Sequence, residues 1–266
     1  MVVVSSSPSP SQCLDTQSLD LSGFIATSIK TPQLPFPKEV KAILSDLDGT
    51  LIFCDRGHVS RFARELLECF GVTLEQHDHK QRTFAYLEDI YDFVNTDRSK
   101  RELKALDPDY FRYQFYASLE QLRTDMCQVL PGITQALNEL ESMGIQLALC
   151  TARTHSPKLY NQLSENGLSG LLDSIVTRQD HYNCGSVKDH IFRTGSSQLW
   201  TDPSMCIAIG DSKDDMESAR RIGMYSIGVL TGLATKEELI AAGACAVIDS
   251  FADLPAFIRR YLDYDR

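Results

Sequence analysis

Residues 43–50 read Ile43-Leu44-Ser45-Asp46-Leu47-Asp48-Gly49-Thr50, an apolar run that ends in two carboxylates one residue apart, then a glycine and a hydroxyl. Successive side chains of a strand point to opposite faces, so residues two apart share a face. If the strand pattern runs to its end, Asp46 and Asp48 face one spot. Gly49 lets the chain turn sharply and brings its backbone close to whatever occupies that spot. A carboxylate held there can attack phosphorus as a nucleophile. A second one beside it can move the leaving group's proton. A tight acidic turn would carry the same letters, so the rest of the chain has to decide.

Outward from this stretch, strand and helix patterns alternate. Residues 41–45 form the first strand. The pattern then turns helical from 56 to about 129. Phe62, Leu66, Leu67 and Phe70 recur at helical spacing, and Tyr110, Phe111, Phe115, Leu119 and Leu122 form an apolar face after Pro108. Pro131-Gly132 breaks the chain. Beyond it the spacing predicts helices over 133–143, 155–166, 213–222, 236–242 and 252–262, with another opening over 188–192. Strands are predicted over 145–150, 174–177, 206–209, 225–229 and 246–248. Gly144, Gly167 and Gly223 fall where helices stop. The strand over 145–150 is apolar throughout, as expected when helices cover both faces. This succession predicts an α/β fold, a Rossmann-like parallel sheet with helices on both sides, in which ligands bind at the carboxyl ends of the strands. The domain reading is an N-terminal extension over 1–38, a core over 39–54 and 130–266, and a helical insertion over 55–129.

Residues after the strands are therefore the candidate site. Thr151 follows one strand and can donate a hydrogen bond to a transferring phosphoryl oxygen, though a threonine is also an ordinary turn residue. Arg153, with His155 nearby, could grip a phosphate bidentately, or simply lie at the surface. Ala152, Gly49 and Thr50 complete the candidate phosphate-binding backbone. Ile207-Ala208-Ile209-Gly210-Asp211-Ser212-Lys213-Asp214-Asp215 is a strand, a glycine turn and an acidic helix start. Asp211 and Asp215 suit a hard cation such as Mg²⁺, which takes carboxylate oxygens, phosphate oxygens and water. Helix capping by Ser212 and Asp214 is the competing reading, since acidic residues are favoured there in any case.

The order of these short motifs resembles the haloacid dehalogenase-like hydrolases, across roughly residues 40–262. The resemblance implies Asp46 as nucleophile, Asp48 as general acid and base, Thr151 on the phosphoryl group, and Lys188 as the charge that neutralises both. It implies a Mg²⁺ site drawn from Asp46, Asp48, Asp211 and Asp215, and it makes the insertion a cap over the site. The second aspartate of the first motif belongs to the phosphatases and phosphomutases of that superfamily rather than to its dehalogenases. Residues 228–232, 237–244 and 246–249 resemble the phosphoglycolate phosphatase branch. Two departures stand out. Lys188 is followed by Asp189 where the family often has proline, which keeps Arg178 and Lys213 as substitutes. Leu51-Ile52-Phe53-Cys54 precedes Asp55 where many relatives have an aspartate sooner.

The expected activity is a Mg²⁺-dependent phosphatase of a small phosphorylated metabolite. A phosphomutase of the β-phosphoglucomutase type, or a non-catalytic phosphoacceptor or binding protein, is the alternative. Composition agrees with a globular chain: 266 residues, 43% of them hydrophobic. A formal charge of −10 disfavours nucleic acid and anionic membranes as partners. The eight cysteines contain no C-x-x-C pair, so reduced thiols and a cytoplasmic setting are expected, with Cys150 and Cys206 buried. The Ser/Pro-rich start lacks the marks of a secretory or transit signal, and 19–29 is apolar enough to dock on the core. His77-Asp78-His79 looks metal-like but lies in a strongly polar run, which suits a solvated loop.

Overall fold

Six parallel strands form the central sheet of the computed structural model, in the order β5-β4-β1-β6-β7-β8. They are β1 (Ala42–Ser45), β4 (Gln146–Cys150), β5 (Ser174–Val176), β6 (Cys206–Gly210), β7 (Tyr225–Val229) and β8 (Ala246–Ile248). The structure describes residues 34–54, 65–72, 87–178, 187–232 and 234–264. The expected extension before Leu34, Phe62 and the His77-Asp78-His79 run lie outside them.

Every residue of β1, β6, β7 and β8 is buried. Alternation along the strands sorts them into two cores. Ile43, Leu147, Leu149, Ile207, Ile209 and Ile227 face one layer of helices: α3 (Ile133–Ser142), α4 (Pro157–Glu165) and α8 (Leu254–Tyr264). Ala42, Leu44, Ala148, Cys150 and Ala208 face the other, α5 (Val187–Gln198) and α6 (Lys213–Ile222). The second face is built of small residues, which lets α5 sit close to the sheet and brings its first turn to the strand ends. A short helix, α7 (Lys236–Ala241), joins β7 to β8. Cys150 and Cys206 are buried free thiols, as expected.

The insertion has its own apolar centre, in which Leu66, Leu67, Phe70, Ile90, Val94, Phe111 and Phe115 pack together. Its two longer described helices are α1 (Leu87–Lys100) and α2 (Pro108–Met126). Phe111 and Phe115 point inward as the helical spacing predicts, but Tyr110 is 52% exposed. It sits one residue, about 100°, round the helix from Phe111. The helical reading also runs too far at the end of the insertion. Cys127–Val129 is a strand, β3, antiparallel to β2 (Ile52–Cys54), with Ile52 opposite Val129 and Cys54 opposite Cys127. Three-residue strands are too short to show a period of two, so only their pairing reveals them. This ribbon draws the two ends of the insertion together beside the first motif.

Just before β1, Phe36, within the extension read over 1–38, is tied to the core. Phe36 stacks on Tyr261 at 4.5 Å and meets Tyr225 edge-on at 5.1 Å. Such aromatic pairs add about 0.5–1.5 kcal/mol each beyond their burial. No described helix is long and apolar enough to cross a membrane.

Candidate active site

Strand register sets the site. Ser45 pairs with Leu149 on one side and Ile209 on the other, so β4, β1 and β6 end level with one another. Asp46, Thr151 and Asp211 therefore emerge side by side in the middle of the sheet. Asp46 continues the ladder by donating its N–H to the Ile209 carbonyl at 2.9 Å. The chain then curls around the Leu47 carbonyl, which accepts from the N–H groups of Leu51 (2.9 Å) and Ile52 (3.0 Å). Gly49 makes this turn at φ +78°, in the left-handed region.

Lys188, in the first turn of α5, reaches under the strand ends. Its Nζ donates to Asp46 Oδ1 at 2.6 Å and to the Cys150 carbonyl at 3.0 Å, and forms an ion pair with Asp215 Oδ1 at 2.8 Å. Two of the ammonium's three donors are thus used, and its charge faces two carboxylates. Of the three cations proposed for this place, Lys188 is the one that occupies it. Lys213 pairs with Glu238 at the surface, and Arg178 lies elsewhere at the rim. Burial alone would lower the pKa of an ammonium. Asp215 and Asp46 outweigh it and hold Lys188 well above the ordinary lysine value.

Asp215 unites the two readings of the acidic helix start. Its Oδ2 accepts from the N–H (3.2 Å) and hydroxyl (2.6 Å) of Ser212, closing a capping box at the start of α6. Its Oδ1 meets Lys188. Carboxylate oxygens of Asp46, Asp211 and Asp215 all lie within 4.8 Å of one another, and all three residues are buried. Three carboxylates against one ammonium would leave the buried cluster at −2, which a divalent cation neutralises. Burial pushes the Asp46 carboxyl up to about 6; Lys188 opposes the shift, while Asp215 and Asp48 reinforce it. The donors are hard oxygens, the chemistry of Mg²⁺ or Ca²⁺ rather than of a thiophilic metal. The residues present fit such an ion.

The loop after β7 closes the other side. Thr231 Oγ1 donates to the Gly49 carbonyl at 2.5 Å. A methyl group on Gly232 would lie 1.7 Å from Asp211 Oδ2, so only a glycine lets this loop pass. Thr231 and Gly232 were not site candidates, although 228–232 carried part of the family resemblance.

Asp48 and Arg153 depart from expectation together. Asp48 does not join the acidic cluster, because the strand ends at Ser45 and the turn destroys the period of two. Its carboxylate lies instead in the fork of Arg153, with Nε to Oδ2 at 2.8 Å and Nη2 to Oδ1 at 2.6 Å. Nη1 of Arg153 donates to Gln162 of α4 at 2.7 Å. The Arg153 side chain is fully buried and its fork is filled by a carboxylate, so it is not open to a phosphate here. Nor does the Asp48 carboxylate stand among the three that could ligate a cation. Gln162 completes this chain of contacts and gave no signal of its own. Removing the guanidinium strands a partly buried carboxylate. Arg153→Met is expected to lower unfolding free energy by about 3 kcal/mol in a denaturant titration.

The remaining candidates surround these groups. Thr151 is buried, and its Oγ1 accepts from the Arg153 N–H at 3.2 Å. Ala152 packs against the α5 side of the core. Thr50 is wholly buried, and among the described residues its Oγ1 has no hydrogen-bond partner. His155 turns outward to Tyr160.

Comparison with known proteins agrees with this geometry. Residues 43–229 match the family model described as haloacid dehalogenase-like hydrolase. The β-phosphoglucomutase of Bacillus subtilis is 24% identical over 206 residues, covering 73% of this chain and 84% of the relative. A phosphoglycolate phosphatase of Agrobacterium fabrum is 30% identical over 159 residues, 58% of this chain and 65% of the relative. A family hydrolase of Deinococcus radiodurans, solved with bound phosphate and sodium, shares the fold: TM-score 0.61, 21% identity, covering 85% of this chain and 97% of that one. With the matched segment running from β1 to β7 and the acidic cluster standing where that sheet ends, the chain belongs to the haloacid dehalogenase-like hydrolases.

Proposed function

We propose that this phosphatase-type hydrolase is a Mg²⁺-dependent phosphatase of a small phosphorylated metabolite, acting through an aspartyl phosphate on Asp46. The observation that carries the reading is Lys188, hydrogen-bonded to Asp46 and the Cys150 carbonyl and ion-paired with Asp215 at the sheet's centre. It holds one oxygen of Asp46 and leaves the other to attack phosphorus. As the new bond forms, the bond from phosphorus to the leaving oxygen breaks, and Asp48 supplies that oxygen's proton. Asp48 then takes a proton from the water that attacks the aspartyl phosphate. Inorganic phosphate departs and Asp46 is restored. Because Arg153 holds both Asp48 oxygens, the carboxylate must turn out of that fork to reach the leaving group. Lys188 cancels charge on the nucleophile throughout, and the Thr151 hydroxyl stands beside it. A cation held by Asp46, Asp211 and Asp215 would offset the repulsion between the nucleophile and an anionic substrate.

Phosphate release from a panel of phosphorylated metabolites, with Mg²⁺ and with excess chelator, tests this directly. Chelation is expected to abolish release, and Mg²⁺ to restore it. Full activity in chelator would overturn the cation assignment. Phosphoglycolate heads the panel because a relative bears that name. The β-phosphoglucomutase relative supports a second reading, phosphomutase, which predicts isomerised sugar phosphate instead of free phosphate.

A further inference from the structure

One guanidinium at the rim of this site has no part in the chemistry above. Arg178 follows β5 by two residues, at the carboxyl edge of the sheet. Its N–H donates to the Arg153 carbonyl at 3.0 Å, which ties it to the loop carrying Thr151. Its side chain runs beneath the insertion, the guanidinium carbon 4.9 Å from the centroid of the Tyr116 ring. Tyr116 and Glu120 lie one turn apart on the same face of α2. Ser156 donates to Glu120 at 3.4 Å, and Lys158 to Gln121 at 2.6 Å. That face of the cap therefore lies over the ends of β4 and β5, on the side of the sheet where ligands bind.

Other arginines of this chain meet carboxylates: Arg153 holds Asp48, Arg221 holds Asp189, and Arg259 holds Glu139. Arg178 is different. Its Nε is buried, and among the described residues it finds no acceptor. A buried N–H without an acceptor has lost its water and gained nothing in exchange. The contact with the Tyr116 ring satisfies the face of the guanidinium but not the Nε–H on its edge. The donors of a planar fork suit the two oxygens of a carboxylate or phosphate. We propose that Arg178, roofed by Tyr116, receives a second anionic group of the substrate. The preferred substrates are then phosphoric monoesters that also carry a carboxylate or a second phosphate. This rests on the hydrolase reading of the Asp46 site and adds a substrate class to it.

A three-carbon series separates the possibilities. It comprises 3-hydroxypropyl phosphate, 3-(phosphonooxy)propanoate and propane-1,3-diol bisphosphate, each assayed for initial phosphate release with Mg²⁺. Wild type is expected to favour at least one of the two charged esters over the alcohol by roughly 10–100-fold in kcat/KM, the range one charge-assisted contact gives. Which of the two wins identifies the group as carboxylate or phosphate. Arg178→Gln is expected to remove that preference, chiefly through KM, while leaving 3-hydroxypropyl phosphate within about twofold. Arg178→Lys should restore part of it. Equal rates on all three esters in wild type would overturn the proposal. So would an Arg178→Gln variant that loses the charged and neutral esters in equal proportion, since that is the mark of a merely structural arginine. If wild type releases phosphate from none of the three, nor from p-nitrophenyl phosphate or the metabolite panel, the hydrolase reading itself falls, and this inference falls with it.

Discussion

Asp46→Asn is expected to reduce phosphate release by at least about 10⁴-fold, the scale on which enzymes lose rate with their nucleophile. The amide keeps the size of the carboxyl group but cannot attack phosphorus. The fold is expected to survive. Burial already opposes the charge on Asp46, lifting its carboxyl to about 6, so a neutral isostere relieves a buried charge rather than creating one. Lys188 still has Asp215 and the Cys150 carbonyl to hold it. Circular dichroism and the melting temperature check the fold, and a phosphate-release assay checks the chemistry. A variant that keeps most of its rate would remove Asp46 from the nucleophile's place.

Asp48→Asn is expected to cut turnover by about 10²–10⁴-fold, the usual worth of general acid–base catalysis, with KM changed much less. Asparagine retains one carbonyl oxygen for the Arg153 fork, so the pairing that now holds Asp48 is weakened but not abolished. Without a base to activate water, phosphoryl groups should accumulate on Asp46. Acid-quenched protein from a reaction with labelled substrate would show them. The result also separates the hydrolase from a phosphoacceptor switch. If wild type itself holds a phosphoryl group for minutes and Asp48→Asn does not prolong it, the hydrolase reading fails. A mutase needs the same group, so only the search for isomerised sugar phosphate divides those two.

Much of this site is local in the chain, and that is why it is legible without coordinates. Asp46, Thr151 and Asp211 each follow an apolar run at once, and a parallel sheet must bring the ends of its strands together. Lys188 is marked by its place at a helix start between two predicted strands. Its three contacts are a matter of packing, since they need the small-residue face of the sheet that seats α5. The β2–β3 ribbon was hidden for a related reason. Three residues carry no period, and the partner strand lies more than seventy residues away.

Arg153 and Asp48 show where reading the chain stops. Both were singled out as site residues, but each was assigned a task by its own neighbourhood: a phosphate contact for one, a share of the acidic cluster for the other. The fold places them 105 residues apart in sequence and 2.6 Å apart in space. Gln162 and the Tyr116 face of α2 complete a set of contacts that no stretch of chain contains. The sequence by itself determined the parallel α/β sheet and the order of its strands along the chain, because periodicity and turn chemistry act over a few residues; the carboxylates and Lys188 were candidates through the order of their motifs and the family those motifs resemble. The tertiary structure alone decided which carboxylates cluster, which one an arginine holds, and which arginine has a buried Nε without an acceptor among the described residues. Those depend on rotamers and register across the sheet, where the partners are distant in the chain.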